Sequence, residues 1–232
     1  MTKYFKRFWP IYIFIVLIFV LIMVAGNHAV TTISEREPIH RNTIIIIDAG
    51  HGGEDGGATS CSGILESNIN LEIALKLNDL CHLFGFDTKM VRTTDISIYT
   101  EGETISAKKA SDLRHRVQLV NETNQAVLIS IHQNTFTDSQ YSGAQVFYAA
   151  TEGSAELAQI LQNQFAQIDS NNHRRIKVAS NIYLMQHIKR TGVLIECGFL
   201  SNPIEEALLR SAEYQKKICG VVVTGLCHYL SS

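Results

Sequence analysis

Cysteine and positive charge are both scarce in this chain of 232 residues, and each shortage argues against a class of protein. The five cysteines form an odd set without CxxC spacing, so neither a disulfide framework nor a redox motif is expected. Beyond residue 30 the chain has 17 basic and 22 acidic residues, a net charge of −5, which argues against nucleic acid as a partner. Internal repeats are also absent. The composition, 46% hydrophobic and 18% charged, suits one globular domain.

Charge is absent from the longest apolar run, residues 8–26, which is long enough to cross a bilayer as a helix. A basic tail, residues 1–7, precedes this run. A cleavable signal peptide usually has a shorter apolar region, so we expect an uncleaved transmembrane signal-anchor, with cleavage at the small residues 24–26 as the alternative. Because basic residues before a span stay in the cytoplasm, the rest of the chain is expected on the extracytoplasmic side of the membrane.

Residues 27–42 are predicted to be a polar linker, and residues 43–232 to be one domain. Continuous apolar runs predict strands at 43–48, 86–93, 126–132, 143–149 and 192–197. Apolar residues at steps of three and four predict helices at 65–84, 112–121, 154–168 and 214–230. A long loop is expected at 94–110, and 181–188 is ambiguous. This alternation predicts an α/β domain with a mainly parallel, twisted sheet and helices on both faces.

Polar residues terminate three of the predicted strands. His51 lies just beyond the first strand, His132 ends the third, and Glu196 ends the fifth. The carboxyl ends of parallel strands meet at one edge of a sheet, where open α/β folds bind their ligands. Glu66 stands in the first turn of the first helix, where the helix N-terminus favours a carboxylate and the side chain can face the same edge. These four residues are therefore expected to converge.

The types of these four residues indicate a hydrolytic zinc site. Two histidines and one carboxylate are a common protein shell for zinc, which keeps its fourth position for water, whereas Ca²⁺ and Mg²⁺ prefer oxygen ligands. Here the shell would be His51, Glu66 and His132, holding one zinc ion per chain. Glu196 is then left free to act as a base that takes a proton from water and returns it to the leaving nitrogen.

The glycine-rich loop from His51 to Gly57 has an alternative reading as a phosphate cradle. It lacks both the GxGxxG spacing and the GKS/T ending of such loops. Its glycines are better explained by close approach of the backbone to the metal and the substrate. The remaining histidines lie in linkers, in loops or on polar helix positions, and no ligand role is expected for them: His28, His40, His82, His115, His173, His187 and His228.

The chain contains four motifs in order, which are IDAGHGG at 47–53 followed by DGGA at 55–58, LE at 65–66, SIHQN at 130–134, and IECGFLSN at 195–202. Together they resemble the zinc-dependent N-acetylmuramoyl-L-alanine amidases of the Amidase_3 type, over residues 44 to about 230. The resemblance implies that His51, Glu66 and His132 bind zinc and that Glu196 is the catalytic base. It also implies hydrolysis of the bond between N-acetylmuramic acid and L-alanine in peptidoglycan. Gln133 and Asn134 of the third motif are candidate substrate-binding residues.

Within that family the chain is most similar to the germination-specific amidases of endospore formers. The supporting features are a short N-terminal membrane segment without wall-binding repeats, and the stretches 100–103, 142–148, 182–186 and 199–203. The resemblance implies removal of peptides from muramic acid, so that muramic-δ-lactam forms in the spore cortex, in the space between the forespore membranes. An accessory lipoprotein is a partner of some relatives. The alternative within the family is a vegetative amidase in division or wall turnover.

Two functions outside this reading are also considered. In the first, Cys197 is the nucleophile of a peptidase or amidase with His132 as its base, so that a thiol reagent would abolish activity and a chelator would spare it. A buried cysteine at a strand end is usually structural, which argues against this reading. In the second, the domain binds the wall without catalysis. That reading predicts a missing ligand or base, whereas all four residues are present.

Overall fold

The computed structural model describes residues 14, 16–21 and 42–231. The chain forms two compact units, Met1–Arg41 and Asn42–Ser232. In the first unit, the described residues 14 and 16–21 are helical. The basic tail, most of the predicted signal-anchor and nearly all of the linker lie outside the described residues, so these assignments stay predictions. Within the described residues, no helix combines the length and the hydropathy needed to cross a membrane.

The second unit contains one six-stranded sheet. Its strands are β1 (Ile44–Ala49), β2 (Asp87–Met90), β3 (Ala126–Asn134), β4 (Gln145–Tyr148), β5 (Lys177–Val178) and β6 (Thr191–Phe199). Its helices are α1 (Glu66–Leu83), α2 (Ile105–Glu122), α3 (Ser154–Ile168), α4 (Tyr183–His187), α5 (Pro203–Leu209) and α6 (Ala212–Leu230). The strand order is β2-β1-β3-β6-β4-β5. Strands β2, β1, β3 and β6 are parallel, whereas β4 is antiparallel to β6 and parallel to β5. The prediction of a mainly parallel sheet is confirmed.

Helices cover both faces of this sheet, as the continuous apolar strands predicted. Successive side chains of a strand point to opposite faces. Ile45 and Ile47 of β1 therefore pack in one core with α1, α3 and α6, while Ile46 packs in a second core with residues of α2 and α4. The run of isoleucines is buried on both sides for this reason. In β1, β3 and β6, the odd-numbered core residues share the first face and the even-numbered ones the second.

Helix α2 begins earlier than its apolar pattern indicated, so the prediction of a loop through residue 110 is wrong. The helix starts at Ile105, and the N-cap hydroxyl of Thr104 accepts a hydrogen bond from the backbone N–H of Ala107 at 3.2 Å. The first turns of α2 are mostly polar and exposed. They carry no apolar periodicity, and capping rather than core packing sets the start of the helix.

Strands β3 and β6 extend beyond the residues at which their apolar runs end. His132 and Glu196 therefore lie inside their strands, near the carboxyl ends, rather than at the last position. The short helix α5 was not predicted, although Asn202 followed by Pro203 is a typical helix start. The Asn202 side chain accepts hydrogen bonds from the N–H groups of Ile204 and Glu205. The ambiguous segment 181–188 contains α4, and β5 is too short for a pattern to reveal.

Candidate metal centre and active site

Strand register places His132 beside Glu196. In the parallel pair of β3 and β6, His132 lies directly opposite Glu196, and both are even-numbered residues on the face covered by α2 and α4. Asp48 of β1 lies opposite Ser130 of β3 on the same face, and the Ser130 hydroxyl donates a hydrogen bond to the Asp48 carboxylate at 2.6 Å. One face of the sheet therefore presents a polar row at the carboxyl ends of its central strands.

His51 reaches this row from the loop after β1, where the backbone makes a sharp turn. Its φ angle is 62°, a left-handed conformation that is uncommon outside glycine. The neighbouring glycines leave room for the side chains of the site. A Cβ atom at Gly50 would lie 2.1 Å from His132 Nε2, and one at Gly57 would lie 2.6 Å from Glu66 Oε2. At Gly57 of the predicted loop, the backbone thus approaches a proposed metal ligand closely. Close approach to a substrate stays a prediction.

Glu66 is the first residue of α1 and points back over the edge of the sheet. Its Oε2 accepts a hydrogen bond from the N–H of Ala58 at 3.0 Å, and its Oε1 accepts one from the N–H of Gln133 at 3.1 Å. The Asn70 amide, one helical turn along α1, donates to Oε1 at 3.2 Å. The carboxylate is therefore fixed by a loop, a helix and a strand at once, which restricts its orientation.

The structure brings the three predicted ligands together. Their ligand atoms all lie within 4.8 Å of one another. His51 Nε2 is 3.2 Å from Glu66 Oε2, and His132 Nδ1 is 2.9 Å from Glu66 Oε1. A tetrahedral zinc ion with ligands at about 2.0–2.2 Å holds neighbouring ligand atoms about 3.3–3.6 Å apart. The donor types and their separations therefore fit a zinc ion with little rearrangement.

The electrostatics of this cluster favour positive charge between the three side chains. Burial lowers the pKa of His51, but hydrogen bonds to Asp55 and Glu66 outweigh it and raise the pKa to about 9. Burial would raise the pKa of Glu66, but hydrogen bonds from His132 and His51 hold it well below its usual range. A buried carboxylate that stays ionised stabilises a positive charge beside it, either a protonated imidazole or a metal ion.

Glu196 lies beside the cluster without belonging to it. Burial raises its pKa to about 7. Its Oε2 atom is buried and has no hydrogen-bond partner among the described residues. The side chain lines a cavity of about 190 Å³ together with His51, His132, Asp55 and Lys109. A carboxylate in this position can exchange a proton with a molecule in the cavity, which is what a general base requires.

Asp55 was not predicted as a site residue, but it contacts His51 directly. Its Oδ2 lies 2.9 Å from His51 Nδ1. The other ring nitrogen of His51, Nε2, faces Glu66. Lys109 Nζ lies 2.9 Å from the same oxygen. A carboxylate behind a ligating histidine fixes the ring orientation and its tautomer. The available signal was an acid four residues after a histidine in a glycine-rich loop.

Two buried arginines that support the loop after β1 were also not predicted. Arg116 of α2 pairs with Asp48 and Asp112, and its guanidinium donates to the His51 carbonyl at 2.9 Å. Arg92 donates to the carbonyls of Ala49 at 2.9 Å and Gly50 at 3.1 Å. These contacts hold the left-handed turn at His51 in place. In the sequence, the one indication of a buried cation is Asp48, the acid at the end of the isoleucine run.

The two candidate substrate-binding residues lie in different surroundings. Gln133 is only 3% exposed, because its odd position in β3 points it to the face opposite His132. Its amide donates to Asn70 at 3.1 Å, so it supports the residues around Glu66, and this placement does not favour substrate contact. Asn134 follows a register shift between β3 and β6 and is partly exposed at the edge of the site. A substrate contact for Asn134 stays a prediction.

The geometry argues against Cys197 as a nucleophile. Cys197 belongs to the core on the face opposite His132 and is buried. Burial raises the pKa of its thiol well above the usual value, so the reactive thiolate is disfavoured. Metal-ligand candidates among the described histidines are restricted to His51 and His132. The reading as a cysteine peptidase therefore has no support in the site.

Comparison with known proteins agrees with this geometry. The Amidase_3 family, described as N-acetylmuramoyl-L-alanine amidase, matches residues 45–228. The germination-specific N-acetylmuramoyl-L-alanine amidase of Bacillus subtilis is 38% identical over 190 residues, which cover 81% of this chain and 80% of the relative. Among solved structures, the CwlD amidase from Clostridioides difficile in complex with the GerS lipoprotein is 39% identical with a TM-score of 0.79, covering 82% of this chain and 99% of that one.

A second structure, an N-acetylmuramoyl-L-alanine amidase from Clostridium difficile 630, is 32% identical with a TM-score of 0.71 and covers 82% of this chain and 97% of that one. The family match spans all six strands except the first residue of β1, and it includes His51, Glu66, His132 and Glu196. Motifs, fold and relatives therefore agree. The chain belongs to the Amidase_3 family of N-acetylmuramoyl-L-alanine amidases, which act on peptidoglycan.

Proposed function

We propose that this amidase is zinc-dependent and hydrolyses the bond between N-acetylmuramic acid and L-alanine with Glu196 as its general base. The observation that carries the proposal is the convergence of His51, Glu66 and His132, with the unpartnered Glu196 carboxylate opposite His132 across the strands. One zinc ion per chain would be held by the first three residues. It would supply Lewis-acid charge that polarises the amide carbonyl and makes water a better nucleophile.

The protein side chains carry the proton through the reaction. Glu196 accepts a proton from the attacking water, because its carboxylate borders the cavity and no described residue donates to its Oε2. It then delivers that proton to the nitrogen of L-alanine as the amide bond breaks. Asp55 keeps the His51 ring in one orientation, and Arg116 holds the backbone from which that ring projects. The surrounding sheet thus provides a fixed frame for the reacting groups.

Metal removal tests this chemistry. The full-length chain, purified in mild detergent, should contain about one zinc ion and should release amino groups of L-alanine from peptidoglycan. A chelator should abolish this release, and added zinc should restore it, because the metal ion would supply the positive charge that polarises the amide carbonyl. A thiol reagent should leave the release intact, since Cys197 is buried. Activity that persists after complete zinc removal would disprove zinc dependence.

We further propose that the enzyme acts in maturation of the spore cortex, with its domain on the extracytoplasmic side of the membrane through the signal-anchor at residues 8–26. The similarity to the germination-specific amidase of B. subtilis supports the spore role. The similarity to the complex of CwlD with the GerS lipoprotein supports an accessory lipoprotein as partner, which direct binding to a purified lipoprotein from the same organism would test. The basic tail before the apolar run supports the orientation.

A complementation experiment tests both the role and the anchor. In a spore former lacking its own amidase of this type, the full-length chain should restore muramic-δ-lactam to the cortex. A chain without residues 1–41 should not, because it would stay in the cytoplasm, away from the wall. Restoration by the truncated chain would refute the need for the anchor. Failure of the full-length chain to restore the lactam, although it hydrolyses peptidoglycan, would instead favour a vegetative role in division or wall turnover.

A further inference from the structure

The loop between β3 and β4 stays at the edge of the sheet where the candidate site lies. Strand β3 ends at this edge, and β4 begins there because it runs antiparallel to β6. Residues 135–144 therefore leave and re-enter the sheet at the same end. The two strands that border this loop in space, β3 and β6, also carry His132 and Glu196. The loop therefore lies at the same edge of the sheet as the candidate site.

The loop displays two aromatic rings. Phe136 is 52% exposed and Tyr141 is 45% exposed, and their ring centroids are 4.6 Å apart. The Arg174 guanidinium lies beside them, 5.8 Å from the Tyr141 ring centroid and 4.4 Å from that of the buried Phe199. We call Phe136, Tyr141 and Arg174 the aromatic platform. It combines two partly exposed aromatic rings with a cation that lies over the Tyr141 and Phe199 rings.

Hydrogen bonds fix the platform to the rest of the domain. The Phe136 N–H donates to the Ser201 hydroxyl at 3.1 Å, and the Asn202 amide donates to the Tyr141 carbonyl at 3.3 Å. Arg174 donates to the Ser142 carbonyl at 2.7 Å and to the Gln145 side chain at 3.3 Å. Within the described residues these bonds use two of its five N–H donors, which leaves others for a ligand. The backbone of both aromatic residues and the Arg174 side chain are thus held in place without a ligand.

The platform lies within reach of the bond to be cut. Phe136 is four residues beyond His132, so their Cα atoms are at most about 14 Å apart. Gln145, which holds Arg174, lies directly opposite Glu196 in the antiparallel pair. The row His132, Glu196 and Gln145 therefore leads from the metal centre to the platform. A polymer bound at the centre that extends this far along the edge of the sheet reaches these rings.

We propose that the aromatic platform binds a sugar ring of the glycan strand, an inference that rests on the proposed amidase function. The C–H face of a pyranose ring is apolar, and rigid aromatic rings offer contact area to it at low entropic cost. Hydroxyl and N-acetyl oxygens at the edge of the sugar match the free N–H donors of Arg174. The platform would position the strand, whereas the metal centre and Glu196 act on the amide bond.

Glycan strands already stripped of stem peptides provide the probe, because they contain no bond for the enzyme to cut. The full-length chain should bind them, and Phe136→Ala and Tyr141→Ala should each weaken binding by roughly tenfold, the scale of a central aromatic contact. Phe136→Leu, which keeps apolar volume but removes the flat ring, should weaken binding as well. On peptidoglycan the same variants should raise KM while kcat and zinc content stay near wild type.

Phe84 provides the matched control. It is 56% exposed but caps the far end of α1, about 27 Å along the helix from Glu66. Phe84→Ala should bind glycan strands like wild type. Unchanged binding by the platform variants would overturn the proposal, and so would a loss restricted to a lipoprotein partner, which would identify a protein interface. If wild type binds glycan but hydrolyses no peptidoglycan, the proposed function fails while the platform stands.

Discussion

Replacing Glu196 with glutamine should lower turnover on peptidoglycan by about 10²-fold or more, the scale of general acid–base catalysis. Glutamine keeps the shape of the side chain but cannot take a proton from water. Asp55 holds His51, Asn70 and the Gln133 backbone hold Glu66, and His132 contacts Glu66, so zinc content and folding should persist without the Glu196 carboxylate. Kinetics and metal analysis on the same purified sample separate these two effects.

The outcome at Glu196 also distinguishes between the two acids of the site. Loss of zinc in Glu196→Gln would make Glu196 a ligand and Glu66 the better candidate for the base. Zinc retained together with near-normal turnover would refute the proton relay. Glu206→Gln is a suitable control, because Glu206 is a buried glutamate that accepts hydrogen bonds from the hydroxyl groups of Ser60 and Ser62, outside the cluster. It should affect stability more than turnover.

Replacing any one of the three proposed ligands should remove zinc and activity together. His51→Ala and His132→Ala should lower zinc affinity by more than about 100-fold, because even residues that only support a ligand cost about 10- to 100-fold. Zinc content measured after dialysis against a weak chelator, alongside turnover, would show the effect. Stoichiometric zinc in either variant would exclude that histidine from the metal shell.

Glu66 requires a gentler change than alanine. Its carboxylate also accepts the N–H groups of Ala58 and Gln133, and Glu66→Ala would leave both donors without a partner. Glu66→Gln keeps an acceptor oxygen and removes the charge, so a loss of zinc would reflect the ligand itself. His82→Ala is the matched control for the histidines. His82 is exposed on α1 and hydrogen-bonded to Thr88, and its loss should leave zinc and turnover unchanged.

The sequence predicted those parts of the fold that apolar patterns define. The isoleucines of β1 and the periodic face of α1 pack in the core as expected, since their burial is what created the pattern. The start of α2 and the short α5 escaped prediction because capping by Thr104 and Asn202, not apolar burial, defines them. A capping hydrogen bond depends on one or two residues, whereas a buried face produces an apolar pattern over many residues. Capping is therefore harder to recognise in a sequence.

In the site, the residue types and their positions in the strands predicted which side chains converge. They did not predict which residues surround and support those side chains. His132 and Glu196 were expected to converge because both end apolar runs, and strand parity places them on the same face. Because odd and even positions of a strand face opposite sides of the sheet, the sequence also places Gln133 on the face opposite His132, under α1. Arg116 could not be foreseen, because its partners Asp48 and His51 are 68 and 65 residues away and only the folded sheet brings them together.

The strand order also has a consequence for the time at which the enzyme becomes active. Strand β6 is the last strand in the sequence, yet it lies between β3 and β4 in the sheet. Until residues 191–199 have been synthesised, β4 and β5 have no neighbour that joins them to β1, β2 and β3. The strand that completes the sheet is the one that carries Glu196. A growing chain can therefore contain all three proposed zinc ligands and still lack the proposed base, so under the proposed mechanism hydrolysis of the wall requires the closed sheet.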